Sequence, residues 1–241
     1  RGAVKNAVHL LGKVLDLAYD YFVIEYMIKH SLVGIGPFFP PVLFPHLEVL
    51  EENWEQIRDE VLNARTQERF PLLQEVEPSQ TWETNGNWEI LLLRVYNLDI
   101  PENLNKFPCL SKLLASLDDV PTAMISLLKP GAHIAPHCGY YNGVLRYHLG
   151  LAIPSQPPPP RRLGIRVGNQ WATWKEGQAM MFDDCYEHEV WNESDAVRVV
   201  LFLDVVRPLE GLPRVVNDLF LWLMRFHPTV QLYKRNAKQM Q

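Results

Sequence analysis

Residues 133–154, HIAPHCGYYNGVLRYHLGLAIP, and residues 170–208, QWATWKEGQAMMFDDCYEHEVWNESDAVRVVLFLDVVRP, decide the fold. Short apolar runs rich in Val, Ile, Leu and Trp alternate there with turn signals such as Gly168-Asn169 and Lys175-Glu176-Gly177. That spacing predicts a β-sandwich or barrel of short strands. Within it lie His137, a second histidine 51 residues on at His188, and Arg198 ten residues later, at the head of a run of Val and Leu. A guanidinium in so apolar a strand requires an anionic partner, because burying its charge unpaired is costly. Two histidines beside an anion-seeking arginine point to a metal and a carboxylate co-substrate.

Working outward, 241 residues are ample for one domain with a real core. A hydrophobic content of 47% and a charged content of 21% are those of an ordinary globular chain. The net charge of −5 argues against a nucleic-acid partner, which calls for a basic surface. Cys109, Cys138 and Cys185 are odd in number, so a disulfide framework is not expected and a reducing compartment is favoured. No run of 18 uncharged apolar residues occurs, so no membrane span is predicted. The chain starts at Arg1, as a fragment or a processed form would.

Three parts are expected along the chain. Residues 1–45 comprise a helix over 3–31, with Leu10, Leu11, Val14, Leu15 and Ala18 at helical spacing, and a proline-broken linker, GIGPFFPPVLFP, over 34–45. Residues 46–210 comprise the β domain with leading helices, one over 46–66 and another over 108–117. A hairpin is expected near Trp82 and Asn85-Gly86, followed by strands over 88–96 and 122–129. Pro157–Pro160 reads as an extended surface loop. Residues 211–241 are a helical extension ending in the basic Lys234, Arg235 and Lys238.

Alternate residues on a strand share a face, which predicts His133, Ala135, His137 and Gly139 pointing one way and Cys138 the other. Neutral imidazoles suit iron, zinc or copper. Non-haem iron oxygenases usually add a carboxylate two residues after the first histidine, and Gly139 stands at that position. Two other readings stay open: core histidines satisfied by backbone hydrogen bonds, and a zinc site drawing on Cys138 and Cys185, although the close cysteine pairs of structural zinc sites are missing. Arg146 and His148 alternate on one strand and would present two donors to one carboxylate, while Arg198 shares its face with Val200 and Phe202. The competing reading is a structural ion pair with Asp183, Asp184 or Asp204. Trp171, Trp174, Trp191 and Tyr141 either wall a substrate or fill the core.

On His137-x-Gly139, Leu145-Arg146-x-His148-Leu149-Gly150-Leu151, Trp174-x-Glu176-Gly177, Phe182-Asp183-Asp184, Glu187-His188 and Arg198, the chain resembles the aspartyl/asparaginyl β-hydroxylase family of iron(II)/2-oxoglutarate dioxygenases. Asn53-Trp54 and Ile57-Arg58 upstream look like bacterial members. The resemblance implies a mainly β chain with flanking helices around a double-stranded β-helix, the jelly-roll or cupin-like core. It implies iron(II) held by His137 and His188 alone, with 2-oxoglutarate as co-substrate and O2 as oxidant, yielding succinate, CO2 and a hydroxylated product. Arg198 and Ser126 would take the distal carboxylate of 2-oxoglutarate, and His148 and Arg146 would lie near its chelating end or the substrate. Asp183 and Asp184 would be structural residues at a strand end.

One departure bears on substrate. Animal peptide hydroxylases of the family carry Arg-x-Arg-x-His where this chain has Val144-Leu145-Arg146-Tyr147-His148. Bacterial relatives acting on lipid acyl chains look closer here and share the ending seen at Arg207-Pro208-Leu209. A peptide, a lipid or a small amino-acid-derived molecule are thus the expected substrate classes. A cytoplasmic setting is expected, with peripheral membrane contact in the lipid case. The rival is a catalytically inactive barrel serving as a binding or scaffold protein.

Overall fold

The larger of two antiparallel sheets runs, in spatial order, β1 (Phe38–Phe39), β9 (Ala179–Phe182), β6 (Val144–Ala152), β11 (Arg198–Val206), β4 (Thr122–Leu128), β2 (Trp88–Val95) and β3 (Leu98–Asp99). The smaller runs β5 (Ala132–His137), β10 (His188–Asn192), β7 (Leu163–Val167) and β8 (Gln170–Ala172). This is a computed structural model that describes residues 26–78 and 87–239. Its helices are α1 (Tyr26–Lys29), α2 (Glu48–Glu52), α3 (Trp54–Gln67), α4 (Leu73–Val76), α5 (Pro101–Leu104), α6 (Pro108–Ala115), α7 (Gly211–Met224) and α8 (Pro228–Gln239). The strand-rich core with flanking helices is the expected jelly roll. Most of the segment 3–31 and the hairpin residues Trp82 and Asn85-Gly86 lie outside the described residues.

β11 shows how the sequence builds two cores from one strand. Val199, Leu201, Leu203 and Val205 pack outward beneath helices, with Leu50, Ile57, Val61 and Leu110. Val200 and Phe202 face inward, toward Ile134, Ile165 and Val190 of the smaller sheet. A strand covered on both faces reads as a continuous apolar run, which is why Arg198 at its head stands out. The helix expected over 46–66 is two helices. Asn53 interrupts them, its side-chain amide donating to the Val49 carbonyl at 2.8 Å. The proline-broken linker carries one short edge strand, β1, paired with β9 through Phe38 opposite Phe182.

The shared face expected for His133 and His137 is not what forms. His188 pairs with His137 but Val190 pairs with Ile134, so β5 carries one extra residue against β10. This bulge lies at Ala135-Pro136, where proline has no N–H to lose from the ladder. His133 consequently faces outward, bonded to Glu189 at 2.7 Å and stacked on Trp191, while Ile134 and His137 both turn inward. The C-terminal helices sit over one end of the sandwich. Asn236 of α8 donates to the Val76 carbonyl at 3.0 Å, and Tyr233 bonds Glu77.

Candidate active site

The bulge brings His137 opposite His188, with ring centroids 4.1 Å apart. Each ring is held from behind by a carbonyl two residues earlier: His137 Nδ1 by Ala135 at 2.8 Å and His188 Nδ1 by Tyr186 at 3.0 Å. A carbonyl only accepts, so Nδ1 carries the proton in both rings and Nε2 carries the lone pair, the tautomer a metal requires. Burial lowers the pKa of both imidazoles, that of His188 to about 4, where proximity to His137 adds to the effect. At neutral pH the pair is uncharged and able to ligate.

Asp184 lies beside them. A Cβ built on Gly139 would come within 2.2 Å of its Oδ2, so the Asp184 carboxylate occupies the space of the side chain that Gly139 lacks. Arg146 holds that carboxylate through Nε at 2.9 Å and Nη2 at 2.7 Å, and its Nη1 bonds Asp204. Burial opposes the charge on Arg146, but the two carboxylates outweigh it and keep the group firmly protonated. The ion-pair reading of Arg146 is therefore what the structure contains, with the guanidinium also stacked over Phe202 at 4.6 Å. Asp183 pairs with the fully buried Arg207. The sequence reading treated both aspartates as strand-end structural groups; it had no signal that Asp184 folds back onto the Gly139 position, 45 residues away in the chain.

Arg198 is different. It is 2% exposed, its Nε and Nη1 have no hydrogen-bond partner, and burial lowers its pKa to about 9. Its nearest compensation is the face of Trp174 at 4.7 Å. The indole N–H of the same Trp174 donates to Nδ1 of His148 at 3.2 Å, which assigns the His148 proton to Nε2, itself buried and without a partner. Burial, then Arg198 and Arg146, hold the His148 pKa well below the ordinary value. Ser126 lies on β4, opposite Val200 and so on the inward face, and accepts the Trp88 indole N–H at 2.9 Å. Trp88 and Trp174 thus position the polar groups. From the sequence, Trp174 is a family-motif residue and a wall or core candidate and Trp88 the start of a strand; neither carried a sign that it bonds a site residue.

All the predicted site residues, Ser126, His137, Arg146, His148, His188 and Arg198, line one cavity of about 510 Å³. The rest of its wall is mostly apolar, with Leu73 and Val76 of α4, Val95 of β2, Met224 of α7 and Val230 of α8, interspersed with Glu77, His227, Thr229 and Tyr233. Trp171 and Trp191 stack on each other at 4.9 Å and do not line the cavity, and neither does Tyr141, packed with Val144 and Leu221. Of the two thiols in the zinc reading, Cys138 lines the cavity, while Cys185 lies beside Asp183 and Asp184, which arginines already engage. Burial, then neighbouring carboxylates, raises the pKa of both thiols.

A jelly roll that turns two neutral imidazoles and an unpaired guanidinium into one cavity has the architecture of a non-haem iron hydroxylase. The chain belongs to the Aspartyl/Asparaginyl beta-hydroxylase family, which it matches over residues 51–208. It is 36% identical over 214 residues to the ornithine lipid ester-linked acyl 2-hydroxylase of Rhizobium tropici, covering 88% of this chain and 75% of that protein. It is 33% identical over 167 residues to the aspartyl/asparaginyl beta-hydroxylase of Homo sapiens, covering 66% of this chain but only 21% of that much longer protein. Among solved structures, a prolyl-4-hydroxylase of Pseudomonas putida overlaps with a TM-score of 0.43 at 15% identity, over 67% of this chain and 99% of that one.

Proposed function

We propose that the protein uses iron(II) and 2-oxoglutarate to hydroxylate an acyl chain of a lipid. The observation that carries the reading is that one cavity combines unsatisfied buried donors with a mostly apolar wall. The donor set fits both groups: two Nε2 lone pairs for the metal, and an orphaned guanidinium with an orphaned imidazole N–H for a dicarboxylate.

His137 and His188 bind iron, which with 2-oxoglutarate supplies the oxidising chemistry that places an oxygen atom from O2 into an unactivated C–H bond. Arg198 takes the distal carboxylate in a charge-assisted fork, with Ser126 as a second donor and Trp174 packed against the guanidinium from behind the cavity wall. His148 donates from Nε2 to the co-substrate, its tautomer set by Trp174. Arg146 acts through Asp184, holding that carboxylate next to the two histidines. Leu73, Val76, Val95, Met224 and Val230 exclude water and receive the chain.

Two further features favour a lipid over an acidic peptide. Val144, where animal peptide hydroxylases carry an arginine, is buried under Tyr141 and Leu221 instead of facing the cavity. The Rhizobium tropici relative is itself described as an acyl hydroxylase.

The test incubates protein, iron(II), 2-oxoglutarate and O2 with a bacterial lipid extract, and follows succinate and lipid mass. Succinate release matched by lipids one oxygen heavier is expected. Succinate released without oxygenated lipid overturns the substrate; an absent charge-transfer absorption on anaerobic mixing with iron(II) and 2-oxoglutarate overturns the cofactor assignment.

A further inference from the structure

Helix α7 is built inside out. Its buried stripe is Pro213, Asn217 and Leu221, at spacings of four. Its most apolar stripe, Leu212, Val215, Leu219, Trp222 and Leu223, continued by Phe226, recurs at three- and four-residue spacing and is turned to solvent, each residue 50–65% exposed. Arg214, Asp218 and Arg225 form a charged ridge between the two stripes. A contiguous apolar face of this size on a folded chain calls for an occupant.

We propose that this face is a docking surface for an anionic lipid bilayer, with α7 lying in the membrane interface and delivering the acyl chain to the cavity. The inference rests on the lipid reading of the site. Two observations choose the bilayer. First, the C-terminal end of α7 reaches the cavity: Met224 on its inner side and His227 just after it line the cavity, while Phe226 between them is exposed. Leu32 and Ile35, also exposed, extend the apolar surface at the other end, where Leu32 N–H donates to the Pro208 carbonyl at 2.9 Å. Second, residues 211–239 carry Arg214, Arg225, Lys234, Arg235 and Lys238 with Asp218 as their one carboxylate, in a chain whose net charge is −5; Arg214 pairs with Asp218 and Lys238 with Glu102, which leaves the segment a net cationic surface. Cations flanking an apolar helical face are the chemistry of an anionic interface. Among the described residues no helix is long and apolar enough to cross a membrane, so α7 lies in the plane of the interface.

The test is co-sedimentation of the full chain with vesicles of phosphatidylcholine containing phosphatidylglycerol, comparing wild type with the triple variant Val215→Gln, Leu219→Gln, Leu223→Gln. Wild type is expected to bind, more weakly on phosphatidylcholine alone or at high salt. The triple variant is expected to lose affinity on the order of 100-fold. It should retain wild-type binding of iron(II) and 2-oxoglutarate, which shows that the fold is intact. Vesicle binding without any lipid oxygenation would remove the substrate assignment and leave the docking face standing. Equal binding by variant and wild type overturns the proposal, as does a wild type that ignores vesicles. A dimer in gel filtration that the variant dissolves, without vesicle binding, assigns the face to a second copy instead.

Discussion

His137 and His188, with ring centroids 4.1 Å apart, are held by the same device, a carbonyl two residues upstream gripping each Nδ1. The pair is therefore oriented before any metal arrives. Outer hydrogen bonds of this kind already influence metal affinity by about 10–100-fold, so removing a ligand should exceed that. His188→Ala is expected to abolish iron uptake, followed by titration and by the charge-transfer absorption, while the melting temperature of the metal-free protein changes little. A variant that still takes up iron at one equivalent with near-normal affinity would dismiss the two-histidine site.

Acid should destabilise the metal-free protein well above the carboxylate range. His148 and His188 both have folded pKa values below the ordinary 6.5, His188 at about 4. As pH falls below 6.5 the unfolded chain binds protons that the folded chain refuses, so stability present above 6.5 is lost on the way down to about 4. His188 contributes about 2 kcal/mol of that loss between pH 7 and pH 5, and His148 adds to it in the same direction. His148→Gln should flatten the decline between the two pH values in urea melts. An unchanged slope would show that His148 titrates normally.

Arg198 has the same sign in a higher pH window. Its folded pKa of about 9 lies below the ordinary 12.5, so the protonated group costs stability below about pH 9, and the cost fades as pH rises toward 12.5. An anionic ligand relieves it. Arg198→Met is expected to stabilise the ligand-free protein by about 1–3 kcal/mol and to erase the rise in melting temperature that 2-oxoglutarate gives wild type. A ligand-induced rise that survives in the variant would place the carboxylate elsewhere.

Gly139 and Asp184 should behave as one unit. Gly139→Ala drives a methyl into a carboxylate that Arg146 keeps from retreating, at a cost of about 1–3 kcal/mol. In the double variant Gly139→Ala, Asp184→Ala the clash disappears, so the combined cost should fall short of the sum of the single costs. Additive losses in a urea-melt cycle would mean that the two side chains do not share the space.

What the sequence by itself determined is what period-two alternation and residue chemistry encode locally. The strands over Thr122–Leu128, Val144–Ala152 and Arg198–Val206 formed where apolar runs and turn signals placed them. The inward sharing of Arg146 with His148, and of Arg198 with Phe202, followed from the pleat. The family likeness rested on the same local motifs. Only the tertiary structure decided the bulge at Ala135-Pro136 that turns His133 out and His137 in, because a bulge exists only relative to the strand it pairs with. The same holds for Asp184 on Gly139, for the Trp88–Ser126 and Trp174–His148 bonds, and for the choice of which arginine is paired and which is left for a ligand. The outward apolar face of α7 belongs here too. Helical periodicity shows that a stripe exists, but which side of a helix meets the protein depends on what the rest of the chain puts beneath it, and here that is the Tyr141 hydroxyl and the Gly143 carbonyl bonding Asn217.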